Sequence, residues 1–179
     1  MATWIALFRG INVGGKNVLK MADLRESLES IKLKNVRTYI QSGNVVFEST
    51  VKSSATLFKK ISRQVEEQNG FRPHLLILPA ESLRKAVKNN PFSREVQEPR
   101  LLHFFFLAQP SKSPDLESIN SIRKPTEQFK LTDDVFYFHS PDGFHGSKLG
   151  AKVEKLLGVV ATARNFATVE KLVEMLDSN

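Results

Sequence analysis

Two runs apolar at nearly every position, Thr3–Phe8 and Leu101–Ala108, open the same succession of patterns in this chain. A run apolar at nearly every position is a strand covered on both faces, because a half-solvated strand alternates. After the first run, Met21, Leu24, Leu28 and Ile31 fall on one face of a helix. Val36–Gln41 and Val45–Glu48 flank Ser42-Gly43-Asn44 as two strands about a turn, with Gly43 and Asn44 supplying the positive φ a tight turn needs. A second helix starts at the Ser53/Ser54 cap, buries Leu57, Phe58, Ile61 and Val65, and stops at Gly70. His74–Leu78 is a fourth strand, and a short helix from Glu81 to Lys88 ends at Asn90-Pro91-Phe92, where proline forbids continuation.

From Leu101 the order returns. Ser113-Pro114 reads as an N-cap followed by proline at the first helical position, with Leu116, Ile119 and Ile122 as the stripe. Phe129–Thr132 and Val135–His139 pair around Asp133-Asp134. Ser147 opens a helix carrying Leu149, Val153, Leu156 and Leu157, stopped by Gly158. Val159–Ala161 reads as a short strand, and a last helix runs from about Asn165 with Phe166, Val169, Leu172, Val173 and Leu176 inward.

The order β-α-β-β-α-β-α thus occurs twice, offset by roughly ninety residues, a repeat of elements and not of identities. Each half has the order of a ferredoxin-like split unit. The expectation is an α+β protein of two ferredoxin-like halves, residues 1–90 and 91–179, joined through Pro91–Arg100 and packed into one compact body.

Charge separates the halves. Residues 1–90 hold 15 basic and 7 acidic side chains, a balance of +8, and residues 91–179 hold 11 and 12, a balance of −1. That asymmetry fits an anionic partner for the first half, whether nucleic acid, a phosphorylated small molecule or an acidic protein; a solvated basic surface that only confers solubility gives the same pattern. The chain has no cysteine, which removes disulfides, thiolate chemistry and cysteine zinc sites and fits a reducing cytoplasm. No apolar run approaches bilayer length and no signal peptide is visible, so the reading is cytoplasmic with no membrane partner.

Gly10–Asn17 reads G-I-N-V-G-G-K-N and follows a strand, one residue away from a phosphate-binding G-x-x-x-x-G-K-[ST] loop. Asn17 stands where a metal-holding hydroxyl belongs, and the helical stripe begins only at Met21, so the loop is an anion-binding candidate and a poor nucleotide hydrolase. Three glycines let successive N–H groups converge on an anion, with Arg9 and Lys16 adding charge; the plain alternative is a turn out of a buried strand. Gln41-Ser42-Gly43-Asn44 carries the same double reading. In a split βαβ unit the end of strand one abuts the start of strand three, which places the two loops together. Arg164, Asn165 and Thr168 at the last helix start form a third candidate, with Asn165 as N-cap the simpler reading. The four histidines lack metal-ligand spacing, and no carboxylate pair or nucleophile elbow is present. The RNA-binding aromatic pattern is missing from Val45–Glu48, while Lys52, Lys59, Lys60 and Arg63 leave a phosphate-directed contact open.

Phe8–Gly15, Thr38–Phe47, Asn90-Pro91-Phe92, Ser147-Lys148-Leu149 and Ala161–Thr168 together resemble the bacterial family catalogued as domain of unknown function 1697 (DUF1697), across nearly the whole chain. Phe166 stands where that pattern has tryptophan, and Ala167 where it has a polar residue. The resemblance implies a duplicated ferredoxin-like architecture and no established activity. The lead expectation is a protein binding an anionic small molecule through Arg9, Gly10, Asn12, Gly14, Gly15, Lys16, Ser42, Gly43 and Asn44, with Arg164 and Asn165 as further ligands. Its rivals are nucleic-acid binding through the basic half and a protein-interaction or homodimer module. The residues name no catalytic group, cofactor, metal or oligomeric state.

Overall fold

The computed structural model describes residues 1–92 and 97–178. Among these residues eight strands and six α-helices run β1 (Ala2–Arg9), α1 (Met21–Ser30), β2 (Lys34–Tyr39), β3 (Asn44–Ser49), α2 (Ser54–Asn69), β4 (His74–Pro79), α3 (Ala80–Lys88), β5 (Leu102–Leu107), α4 (Leu116–Ile122), β6 (Gln128–Leu131), β7 (Val135–His139), α5 (Val153–Leu157), β8 (Ala161–Asn165) and α6 (Phe166–Asp177). The strands form two antiparallel sheets of four, ordered β2-β3-β1-β4 and β6-β7-β5-β8. Both orders are the ferredoxin-like split, so the duplicated α+β reading holds. The chain divides into two compact units, Met1–Arg84 with the residues from Leu172 onward, and Lys85–Lys171. The expected join, Pro91–Arg100, includes residues 93–96, which lie outside the described residues.

In the first unit β1 is buried along both faces from Trp4 to Phe8, as an apolar run without alternation requires. Trp4, Ala6 and Phe8 meet Val45 and Phe47 of β3, Leu24 and Leu28 of α1, and Leu57, Ile61 and Val65 of α2 in one core. The caps of α2 follow the local chemistry. Ser53 accepts the Thr56 N–H at 3.2 Å, and Gly70 ends the helix at φ 72°. In the second unit Phe105, Phe136 and Phe138 form the core with Ile119, Leu149, Val153 and Leu157.

Four local expectations are corrected. Asp115, not Ser113, caps α4, because its carboxylate accepts the Ser118 N–H at 2.9 Å. Ser147 accepts the Gly150 N–H at 2.9 Å and starts only a 3-10 turn, so α5 begins at Val153. The last strand is Ala161–Asn165 and not Val159–Ala161, because Leu107–His103 of β5 offers its free edge in that register. In the first hairpin the left-handed residues are Ile40 (φ 49°) and Gly43 (φ 77°); Asn44 is already the first residue of β3.

Candidate functional site

Antiparallel pairing brings three connections of the first unit to one end of its sheet. Leu7 pairs with Asn44 and Arg9 with His74, so the loop leaving β1, the β2–β3 turn and the α2–β4 connection stand side by side. The first two are in contact, as the element order requires. The Phe8 N–H donates to the Gly43 carbonyl at 2.8 Å. A β-carbon on Gly43 would lie 2.5 Å from Ile11 Cδ1 and 2.6 Å from Phe8 Cβ. Only glycine fits there, for φ and for space.

The glycine-rich loop is not a phosphate loop opening a helix. Val13 and Lys16 form a bridge, the Lys16 N–H donates to Val13 O at 3.1 Å, and the Asn12 N–H donates to Asn17 O at 3.1 Å. Gly14 and Gly15 sit at the tip with φ 58° and 73°. Two left-handed residues between a short pair of strands are what a type I′ turn demands. Asn17, also left-handed at φ 49°, donates from Nδ2 to Gly10 O at 3.0 Å and closes the base of the loop. No Cβ-distance neighbour surrounds Gly10, Gly14 or Gly15, and Lys16 is exposed beside them.

Asn12 holds the end together. At φ 55° its side chain turns inward. Nδ2 donates to Leu19 O at 2.9 Å and to Gln41 O at 2.8 Å, and Oδ1 accepts the Leu19 N–H at 2.7 Å. One amide therefore fastens both the β2–β3 turn and the residue before Lys20, the N-cap of α1. The Lys20 side chain makes no capping bond, so the first N–H groups of α1 face the same end of the sheet with no cap side chain from that position. Asp23 lies in the first turn. Lys20, Arg72 and His74 are exposed here as well as Lys16.

Of the residues read from sequence, Arg9, Gly10, Asn12, Gly14, Gly15, Lys16, Ser42, Gly43 and Asn44 do come to one sheet end. Their roles divide. Asn44 is fully buried, and its Nδ2 donates to Tyr39 O and Ser42 Oγ, both at 3.1 Å. Asn12 and Asn44 are thus fasteners of backbone, and the exposed set is Gly10, Gly14, Gly15, Lys16 and Ser42. Arg164 and Asn165 belong to the other unit. Asn165 Oδ1 accepts the Thr168 N–H at 2.9 Å, the N-cap role. Arg164 Nη1 donates to Ala163 O at 2.8 Å, and burial pushes its pKa down to about 10.

Sequence reading passed over Lys20 and Arg72, although the element order places their connections at this end. His103, read from sequence only as lacking metal-ligand spacing, is buried in β5 and stacked on Phe144 at 4.2 Å. Burial pushes the His103 pKa down to about 4, so it is neutral at physiological pH. At the opposite end of the first sheet, a groove of about 650 Å3 is lined by Glu29, Asn35, Val36, Arg37, Glu48 and Ser178. Arg37 Nη1 donates there to Ser178 O at 2.5 Å. Among the described residues no cluster of histidine, aspartate and glutamate is arranged to hold a metal ion, and no helix is long and apolar enough to cross a membrane.

The chain belongs to the family described as protein of unknown function (DUF1697), whose sequence pattern matches residues 1–137. Among solved structures it is similar to the conserved bacterial protein SP0830 from Streptococcus pneumoniae, with 27% identity, 98% of each chain covered and a TM-score of 0.73. No protein with a curated description matches it.

Proposed function

We propose that the protein binds a phosphate- or carboxylate-bearing ligand at the end of the first sheet. The observation that carries this reading is the Asn12 bracket, which fastens the N-terminus of α1 beside the Gly14-Gly15 turn and Lys16. Helix N–H groups, outward turn amides and ammonium groups are three kinds of anion donor, and here one side chain holds them in register. Their backbone is preset, since Gly10, Asn12, Gly14, Gly15, Asn17, Ile40 and Gly43 are all left-handed. A ligand binding there spends little free energy on ordering the loops. Lys16 and Lys20 neutralise the ligand, the turn amides orient it, and Arg9 stands at the margin of the same edge.

Amide NMR during titration with inorganic phosphate and with citrate tests the reading. The expected result is a saturable shift centred on Gly14, Gly15, Lys16 and Met21, weakened several-fold in Lys16→Gln. Shifts centred elsewhere, or none with either anion, refute it.

A further inference from the structure

We infer that the anion recognised at this edge is the phosphate backbone of duplex DNA, an inference that rests on the anion-binding reading above. The exposed cations stand on two neighbouring connections of this sheet end. Along the sheet end the order is the β2–β3 turn, the loop after β1, then the α2–β4 connection. Lys16 and Lys20 lie on the middle connection and Arg72 on the outer one, all exposed. Among the described residues no ion pair joins any of the three to a carboxylate. At the usual strand spacing those two connections stand about 5 Å apart, close enough for the three cations to meet successive phosphates along one strand of the duplex.

The apolar residues at this end separate DNA from other polyanions. Val13 is 67% exposed, Val18 60% and Ile40 49%, and all three sit on the two fastened loops. Ile40 keeps that exposure at φ 49°, a conformation a β-branched residue adopts at a cost of about 1–2 kcal/mol. Short aliphatic side chains on a rigid tip suit contact with thymine methyl groups in the major groove. Bilayer surfaces select tryptophan, phenylalanine and leucine, and single strands select aromatic platforms. The exposed large hydrophobic residues of the described chain include no aromatic ring.

The test is fluorescence anisotropy of a labelled, mixed-sequence DNA duplex with the full-length protein, repeated over a salt series. Three neutralised phosphates give a slope of about −2.7 in log K against log salt, so affinity falls about 40-fold between about 50 and about 200 mM. Lys16→Gln and Arg72→Gln each move the slope by about one unit toward zero, while Lys59→Gln on α2 leaves it unchanged. Val13→Ser with Ile40→Ser lowers affinity without changing the slope. Absence of duplex binding overturns the inference, as does a slope that responds to Lys59→Gln and not to the loop variants. Tighter retention on phosphatidylserine vesicles than on the duplex overturns it too. If phosphate still shifts the Gly14 and Gly15 amides while the duplex fails to bind, the anion reading survives and this inference alone falls.

Discussion

Replacing Asn12 tests whether one side chain holds this end of the first sheet together. Its amide makes three hydrogen bonds of 2.7 to 2.9 Å to backbone groups of two other segments. Asn12→Asp keeps the acceptor for the Leu19 N–H but turns both donations into carboxylate oxygens facing the Leu19 and Gln41 carbonyls. Two lost bonds at about 1 kcal/mol each, plus that repulsion, amount to a loss of about 3 kcal/mol. Asn12→Ala loses all three bonds and must hold a left-handed φ of 55° without local compensation, a loss of about 4 kcal/mol. The assay is urea unfolding followed by tryptophan fluorescence. Trp4 is the one tryptophan of the chain and is only 5% exposed in the core of the same unit, so its signal reports that unit. Hydrogen exchange at the Leu19 amide supplies an independent local readout. A loss below about 0.5 kcal/mol in Asn12→Asp, with Leu19 exchange unchanged, would show that the bracket is incidental and would remove the basis for placing α1 beside the turn.

Gly43→Ala puts a β-carbon 2.5 Å from Ile11 Cδ1 at φ 77°, and chemical denaturation is expected to show a loss of about 3 kcal/mol from strain and overpacking together. Ile40→Gly relieves a left-handed β-branched residue that is 49% exposed, so stability rises by about 0.5–1 kcal/mol in the same assay; a loss above that size would mean the isoleucine packs in a way its exposure denies. His103 has a folded pKa of about 4 against an ordinary value of 6.5, because burial disfavours its charged form and His145 adds to the effect. The unfolded chain therefore binds the extra proton first. The stability tied to neutral His103 is complete above about pH 6.5 and is lost as pH falls toward 4, about 3 kcal/mol in all. His103→Phe keeps a ring against Phe144 and removes the titration, so its stability profile between pH 4 and 6.5 is expected to be flatter than that of the parent; parallel profiles would refute the assignment.

Much of this protein is legible in its residues. A strand apolar at nearly every position has to be covered on both faces, and Trp4–Phe8 is. Ser53 and Gly70 bound α2 because capping is a local reaction between a side chain or a left-handed residue and the nearest backbone groups. The repeated element order carried the sheet topology, since few right-handed antiparallel arrangements accept it. Where a boundary depended on competition between neighbours the residues were ambiguous. Asp115 and not Ser113 caps α4, because the helix begins at Leu116 and the Asp115 carboxylate accepts the Ser118 N–H three residues on.

The loop end of the first sheet shows the other limit. Gly14-Gly15 announces a turn, and the spacing to Lys16 suggests a phosphate loop, but whether those glycines open a helix or cap a hairpin depends on what Asn12 and Asn17 bond. Those partners, Leu19, Gln41 and Gly10, include one 29 residues distant in sequence. Side-chain hydrogen bonds between remote segments leave no periodic trace, so periodicity cannot find them. Secondary structure, pairing order and the basic bias of the first half were set by local chemistry and composition. The inward turn of Asn12 and Asn44, the outward aliphatic tips and the burial of His103 exist only once the strands are side by side, because each is decided by which groups distance in space, not in sequence, leaves without water.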